Sequence, residues 1–263
     1  MTAKRTATIS TSKGYGDGGD WQQSDPSPIV NLDAIKAEPK RRKKNEFGDK
    51  TKAHQRYYTD DGEMVPGVTT ILNVINKPYL VAWANRLGLE GTNTAKYKDE
   101  AAAIGTLAHY LVECRLRSTQ PDLKDFTPAQ VERAGYSLRS YDAWLANQTS
   151  FEPIKVELRL VSKKYHYGGT IDTYADLNGK TALVDYKTSA AVYDEHKAQV
   201  AAYGKLLQEN GYSLQRILLV KLGRDEGDSY EEVSLSAPQL RVYWEMFMAA
   251  RELYLVQKKV KKL

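Results

Sequence analysis

The chain has 263 residues and a single cysteine, Cys114, and that shortage removes whole classes of function. One thiol cannot close an internal disulfide, nor supply the thiolates of a four-cysteine zinc or iron-sulfur site. Any metal must therefore be held by oxygen and imidazole. Long apolar runs are missing as well. The longest, such as Ile217 to Val220, are far too short to span a bilayer, and the first residues show no apolar signal segment. A cytoplasmic protein, of a bacterium or of a phage-infected host, is expected. No repeat period is visible, which sets aside solenoids and propellers.

Hydrophobic residues make up 41% and charged residues 27%, an ordinary balance for a globular chain, while the mean hydropathy of -0.56 points to a polar portion outside the core. The formal charge of +5 and a pI near 9.0 favour polyanionic partners, because cations paired with phosphates release counterions. Much of the polarity sits in residues 1–53, with Gly, Ser, Asp and Pro clusters and the basic run Lys40-Arg41-Arg42-Lys43-Lys44. This stretch is expected to be a disordered basic extension. Its basic run reads equally as a tether to nucleic acid or as a solvated tail, with a nuclear address as a weaker third reading.

A folded domain is expected over residues 54–263, its N-terminal part helical. Asp61-Gly62 and Val65-Pro66-Gly67-Val68 suggest a short hairpin leading into a capped helix. Helices are expected over 78–87 and 94–117, the latter with Thr94 as its cap, and from Thr127-Pro128 to about 147. The period then changes to two, with Val156, Leu158 and Leu160 alternating against Lys155, Glu157 and Arg159. Strands over 167–177 and 181–187 flank Asn178-Gly179, the strongest hairpin signal in the chain. A helix over 193–210, strands over 216–220 and 229–233, and a final helix after Ala237-Pro238 complete an α/β mixed arrangement, a sheet flanked by helices.

A two-residue turn at Asn178-Gly179 sets Asp172 directly opposite Asp185. Carboxylates so paired have Cβ atoms about 4.5 to 5.5 Å apart and repel unless a cation compensates them. Lys187, two residues beyond Asp185, shares their face. An isolated Asp-x-Lys is ordinarily a surface neutralisation; the facing Asp172 turns the reading toward a divalent cation. Magnesium takes one or two protein carboxylates and completes its shell with water and substrate phosphate. Such a site suits phosphodiester hydrolysis, with Lys187 positioning water or screening phosphate charge.

These residues resemble the PD-(D/E)XK nucleases of the RecB type. The ordered motifs are Gly105-Thr106-Leu107-Ala108-His109, Glu157, Gly169-Thr170-Ile171-Asp172, Asp185-Tyr186-Lys187-Thr188-Ser189 and Gln199-Val200-Ala201-Ala202-Tyr203. The resemblance implies a restriction-endonuclease-like core, and His109, Asp172, Asp185 and the Tyr186 carbonyl around Mg2+ or Mn2+. It further implies Lys187 as catalytic, Glu157 as a helper for water or lysine, and Gln199 and Tyr203 as active-site support and DNA contact; Thr188 and Ser189, placed between strand and helix, offer hydroxyls and amides to a DNA phosphate. By itself His109 would be a packed core histidine, Glu157 a surface glutamate, and Gln199 with Tyr203 an unremarkable helical pair. Glu113 reads either as a partner orienting His109 or as an ion pair with Arg117. The segment Val65 to Leu72, followed by Trp83 and Asn85-Arg86, is similar to the mitochondrial genome maintenance exonuclease branch and its phage relatives.

The resemblance makes a metal-dependent DNA exonuclease of phage or bacterial recombination, replication or repair the leading expectation, with DNA and a recombination or single-strand-annealing protein as partners. A structure-specific endonuclease and a catalytically silent nucleic-acid-binding module stand as alternatives.

Overall fold

A computed structural model describes residues 56–263, so the basic run and the expected N-terminal extension lie outside the described residues. A two-stranded hairpin, β1 (Tyr57–Tyr58) and β2 (Met64–Val65), opens the described chain. Four helices follow: α1 (Val68–Leu72), α2 (Pro78–Leu89), α3 (Thr94–Leu116) and α4 (Pro128–Ala146). Next come the long strands β3 (Phe151–Ser162), β4 (Tyr167–Leu177) and β5 (Lys180–Lys187). Helix α5 (Asp194–Glu209), strands β6 (Arg216–Lys221) and β7 (Glu231–Ser234), and helix α6 (Ala237–Val260) finish it.

The strands β3 to β7 form one sheet in sequence order, antiparallel except for the parallel β5–β6 pair, which α5 connects. The expected fold class therefore stands: a mixed sheet between helices. Asn178 and Gly179 both take positive φ, 55° and 75°, as a two-residue turn matched to strand twist requires. That turn fixes the β4–β5 register from Leu177↔Lys180 to Thr173↔Val184.

Local chemistry explains the boundaries. Thr127 and Gln130 close a capping box before Pro128, so α4 starts where expected. At α3 the cap is Asn93 rather than Thr94, because the Asn93 carboxamide accepts from the Lys96 backbone N–H and leaves Thr94 as the first helical residue. Gly67 precedes α1 with no side-chain cap. The strand expected over 229–233 begins later, at Glu231, since the Asp228 carboxylate accepts from the amides of Arg224 and Asp225 and holds that stretch as a loop.

Strand β5 divides the interior. Ala182, Val184 and Tyr186 project into a core with Val112 of α3 and with Tyr141 and Trp144 of α4. The Tyr186 ring meets Tyr141 edge-on at 5.4 Å between centroids. On the opposite side α5 and α6 cover the sheet, where Tyr167 donates to the Ala202 carbonyl and stacks at a tilt on Phe247. The middle strands β4, β5 and β6 are thus covered on both faces, and nine consecutive residues of β4 are buried, whereas β3 and β7 stay largely exposed. Gly168 is there for close approach: a Cβ would lie 2.3 Å from the Tyr57 ring, which packs across it while the Tyr57 hydroxyl bonds Thr170.

Candidate active site

The β4–β5 ladder stops one pair short of Asp172 and Asp185, and on the other side the β3–β4 ladder passes from Val156↔Thr173 to Leu158↔Ile171, skipping Glu157 and Asp172. Continued through these gaps, the registers align Glu157, Asp172 and Asp185 in one row across three strands. Asp172 spends its side chain on the neighbouring strand, accepting from the Tyr186 backbone N–H at 2.9 Å. The carboxylate thereby takes the amide at the end of the ladder. Both aspartates are buried, with 5% and 1% of their surface exposed, so their mutual repulsion is poorly screened.

Lys187 answers one of these charges. Its Nζ lies 2.5 Å from Asp185 Oδ2 and donates to Gln199 Oε1 at 3.1 Å. Gln199 in turn donates through Nε2 to the Tyr203 hydroxyl at 2.9 Å, as the i, i+4 spacing on α5 permits. The Tyr203 ring is 4% exposed, and burial, followed by the Asp185 charge, pushes its hydroxyl well above the ordinary range, so it stays protonated. Gly169 makes room for it: a Cβ there would lie 2.5 Å from that ring.

His196 was not foreseen. It follows Lys187 at the start of α5, where its Nδ1 accepts from the Tyr193 amide. Burial, then the charge of Lys187, lowers its pKa to about 3, which keeps the imidazole neutral beside the lysine. A lone histidine near a helix start carries no sequence signal that would have found it.

Helix α3 brings His109 to the pair, with Nδ1 3.5 Å from Asp172 Oδ2. The small residue one turn earlier allows this approach, since a Cβ on Gly105 would come within 2.9 Å of Thr188 Oγ1. Glu113 resolves toward the surface reading, paired with Arg117 at 2.8 Å. Glu157 takes φ of 56°, a left-handed conformation costing a non-glycine residue about 1 kcal/mol or more. The pairing nevertheless keeps one register on either side of Glu157, and the irregularity of this strand falls earlier, between Pro153 and Lys155.

Among the described residues, no three or more His, Cys, Asp or Glu side chains gather as a ready-made metal cage. The donor set that is assembled, two adjacent buried carboxylates with an imidazole beside one of them, fits an open site. A hard divalent ion accepts that arrangement, taking one or two protein carboxylates and leaving its other positions to water and phosphate. A closed all-protein cage does not fit.

Thr188 and Ser189, directly after Lys187, line a cleft of about 620 Å³ together with residues of α3, α4 and the loop after β6. Its walls carry Lys96, Lys98, Arg133 and Arg224, and Tyr97 rests edge-on against Trp83. These basic residues were not singled out in the sequence, because they come from three separate segments that only the fold brings together.

A sequence profile of the PD-(D/E)XK nuclease superfamily matches residues 82–222, more than half of the chain, and the chain belongs to that superfamily. The matched span includes α3, the three long strands, α5 and β6, and thus His109, Glu157, Asp172, Asp185, Lys187, Gln199 and Tyr203. No curated protein matches the chain. Among solved structures it is similar to a protein from Eubacterium rectale, an exonuclease by provisional name, with 10% identity, 57% of this chain and 68% of that one covered, and a TM-score of 0.41. It is also similar to the alkaline exonuclease LHK-Exo of Laribacter hongkongensis, solved with dAMP, with 14% identity, 62% and 92% covered, and a TM-score of 0.30. These likenesses are remote, and membership rests on the profile. No helix of the described residues is long and apolar enough to cross a membrane.

Proposed function

We propose that this chain is a divalent-metal-dependent DNA exonuclease, with Asp172, Asp185 and His109 as the metal-binding side and Lys187 as the catalytic cation. The observation that carries the reading is the buried pair Asp172 and Asp185 with the Lys187 ammonium against Asp185, followed directly by Thr188 and Ser189, which line a cleft that also carries Lys96, Lys98, Arg133 and Arg224. A bound Mg2+ or Mn2+ would neutralise the carboxylate pair and lower the barrier to phosphodiester hydrolysis by polarising phosphate and water.

The residues of the chain do the positioning. Asp172 is held in place by the Tyr186 amide, with the His109 imidazole 3.5 Å from the same carboxylate oxygen; the Tyr186 carbonyl is a further ligand in this reading, as the family resemblance implies. Lys187, tethered by Gln199, orients the attacking water or screens the charge growing on phosphate oxygens. Tyr203 is buried, so its part is to hold Gln199; contact with DNA falls to Thr188 and Ser189, which line the cleft. Lys96, Lys98, Arg133 and Arg224 supply phosphate contacts along the strand. Glu157, aligned with Asp172, orients water through its carboxylate. A bacterial or phage role in recombination or repair goes with this reading.

Incubation of labelled linear, nicked and covalently closed circular DNA with magnesium or manganese tests it. Metal-dependent release of nucleotides from linear and nicked DNA is expected. Cutting of closed circles would turn the reading to an endonuclease, and binding without cleavage to a silent module.

A further inference from the structure

The outer face of α6 carries an apolar stripe with no part in the core. Val242, Met246, Ala249, Leu253, Val256 and Val260 follow one another in alternating steps of four and three residues, the spacing of a coiled-coil seam. Four of them are strongly exposed: Val242 61%, Leu253 46%, Val256 43% and Val260 59%. The face that holds α6 to the domain is a different one, formed by Leu240, Phe247 and Ala250. A single stray apolar residue on a surface means nothing, but a strict two-step repeat over nearly three heptads does.

We propose that this stripe is the self-association surface of the protein, through which α6 of one chain packs antiparallel against α6 of a second copy. Charge decides both the occupant and the direction. Lys258, Lys259, Lys261 and Lys262 crowd the end of the helix, while Glu252 and Glu245 flank the seam one and two heptads earlier than Lys259, respectively. Parallel pairing would set the two lysine clusters side by side. Antiparallel pairing that places Val256 opposite Met246 brings Lys259 of each copy next to Glu245 of the other. Its one unfavourable contact is Glu252, which meets its own equivalent near the twofold axis.

The size fits a reversible dimer. From Val242 to Val260 the seam is about 27 Å long and covers roughly 500 Å² per copy, near the ~1,000 Å² total at which specific interfaces begin. Helix α6 is already ordered by its inner face, so pairing does not incur the cost of forming it. The constellation around Lys187 is not used, and the proposal stands or falls independently of the nuclease reading.

Sedimentation velocity of the full chain across a dilution series tests it. A dimer at about 100 μM that dissociates on dilution is expected. Leu253→Glu combined with Val256→Glu should sediment as a monomer throughout, with an unchanged circular dichroism spectrum and melting temperature. Glu245→Lys should weaken association at least tenfold, the double variant Glu245→Lys with Lys259→Glu should restore it, and Glu252→Gln should tighten it. A wild-type chain that is monomeric at every concentration overturns the proposal, including the case where hydrogen exchange shows the stripe shielded by another segment of the same chain. A dimer indifferent to Leu253→Glu with Val256→Glu overturns it too, and indifference to both charge swaps overturns the antiparallel arrangement.

Discussion

The two faces of strand β5 divide stability from chemistry within eight residues. Ala182, Val184 and Tyr186 sink into the aromatic core under α3 and α4, where each side chain gains by burial. Asp185 and Lys187 turn to the other face, where Asp185 is equally buried but is held there against its own desolvation and against Asp172. The first face is one that any sheet protein could have. The second costs stability, and sites that persist at such cost are where function is found.

The contrast breaks most sharply at Asp172. Asp172→Asn keeps an oxygen to accept the Tyr186 amide but removes one of two facing charges. Nuclease activity should fall by about a thousandfold or more, a loss of about 4 kcal/mol in transition-state stabilisation, while the melting temperature holds or rises. A single-turnover assay with linear DNA beside a thermal melt would check both halves. A fall in stability to match the fall in activity would mean that this face also serves the fold.

Trp144→Ala is the mirror experiment on the core face. The ring is fully buried, meets Phe151 and Tyr186 edge-on and donates to Glu232, so its loss should cost about 3 to 5 kcal/mol in urea unfolding. Specific activity of the folded fraction should stay within a few fold of wild type. His196 lies between the two extremes. Its folded pKa of about 3 is below the ordinary 6.5, so the folded state favours the neutral imidazole. Its contribution is fully present above pH 6.5 and is lost as pH falls through that value toward 3, since the unfolded chain binds the proton first. Roughly 4 to 5 kcal/mol should disappear over that window, and His196→Gln should flatten the curve measured by urea unfolding across pH.

The parts that could be read from sequence share a property: their signal is local. Asn178-Gly179 dictates its turn by backbone conformation, and the register carries Asp172 to Asp185 without further information. The Thr127-Pro128 start of α4 is equally local. What escaped depended on residues far apart in the chain or on competition between neighbours. Asn93 displaced Thr94 as a cap by a single step, and both are competent caps. The positive φ of Glu157 lies within a segment whose apolar alternation looks regular, because it leaves no compositional mark on a glutamate. The cleft residues Lys96, Arg133 and Arg224 are ordinary surface cations until α3, α4 and the loop after β6 converge.

The smallest effect sharpens the comparison at its inner edge. Gln199 touches Lys187 from α5 yet stands behind it, and Lys187 keeps its contact with Asp185 when the carboxamide is gone. Gln199→Ala should therefore lower kcat by about tenfold, about 1.4 kcal/mol, and leave KM for DNA close to wild type. Tyr203→Phe removes only the far end of the same chain of hydrogen bonds and should do less. Steady-state kinetics on one linear substrate separates the cases. A loss at Gln199 as large as that at Asp172 would make the carboxamide part of the reacting centre, while a change in KM alone would move it to the DNA-binding surface.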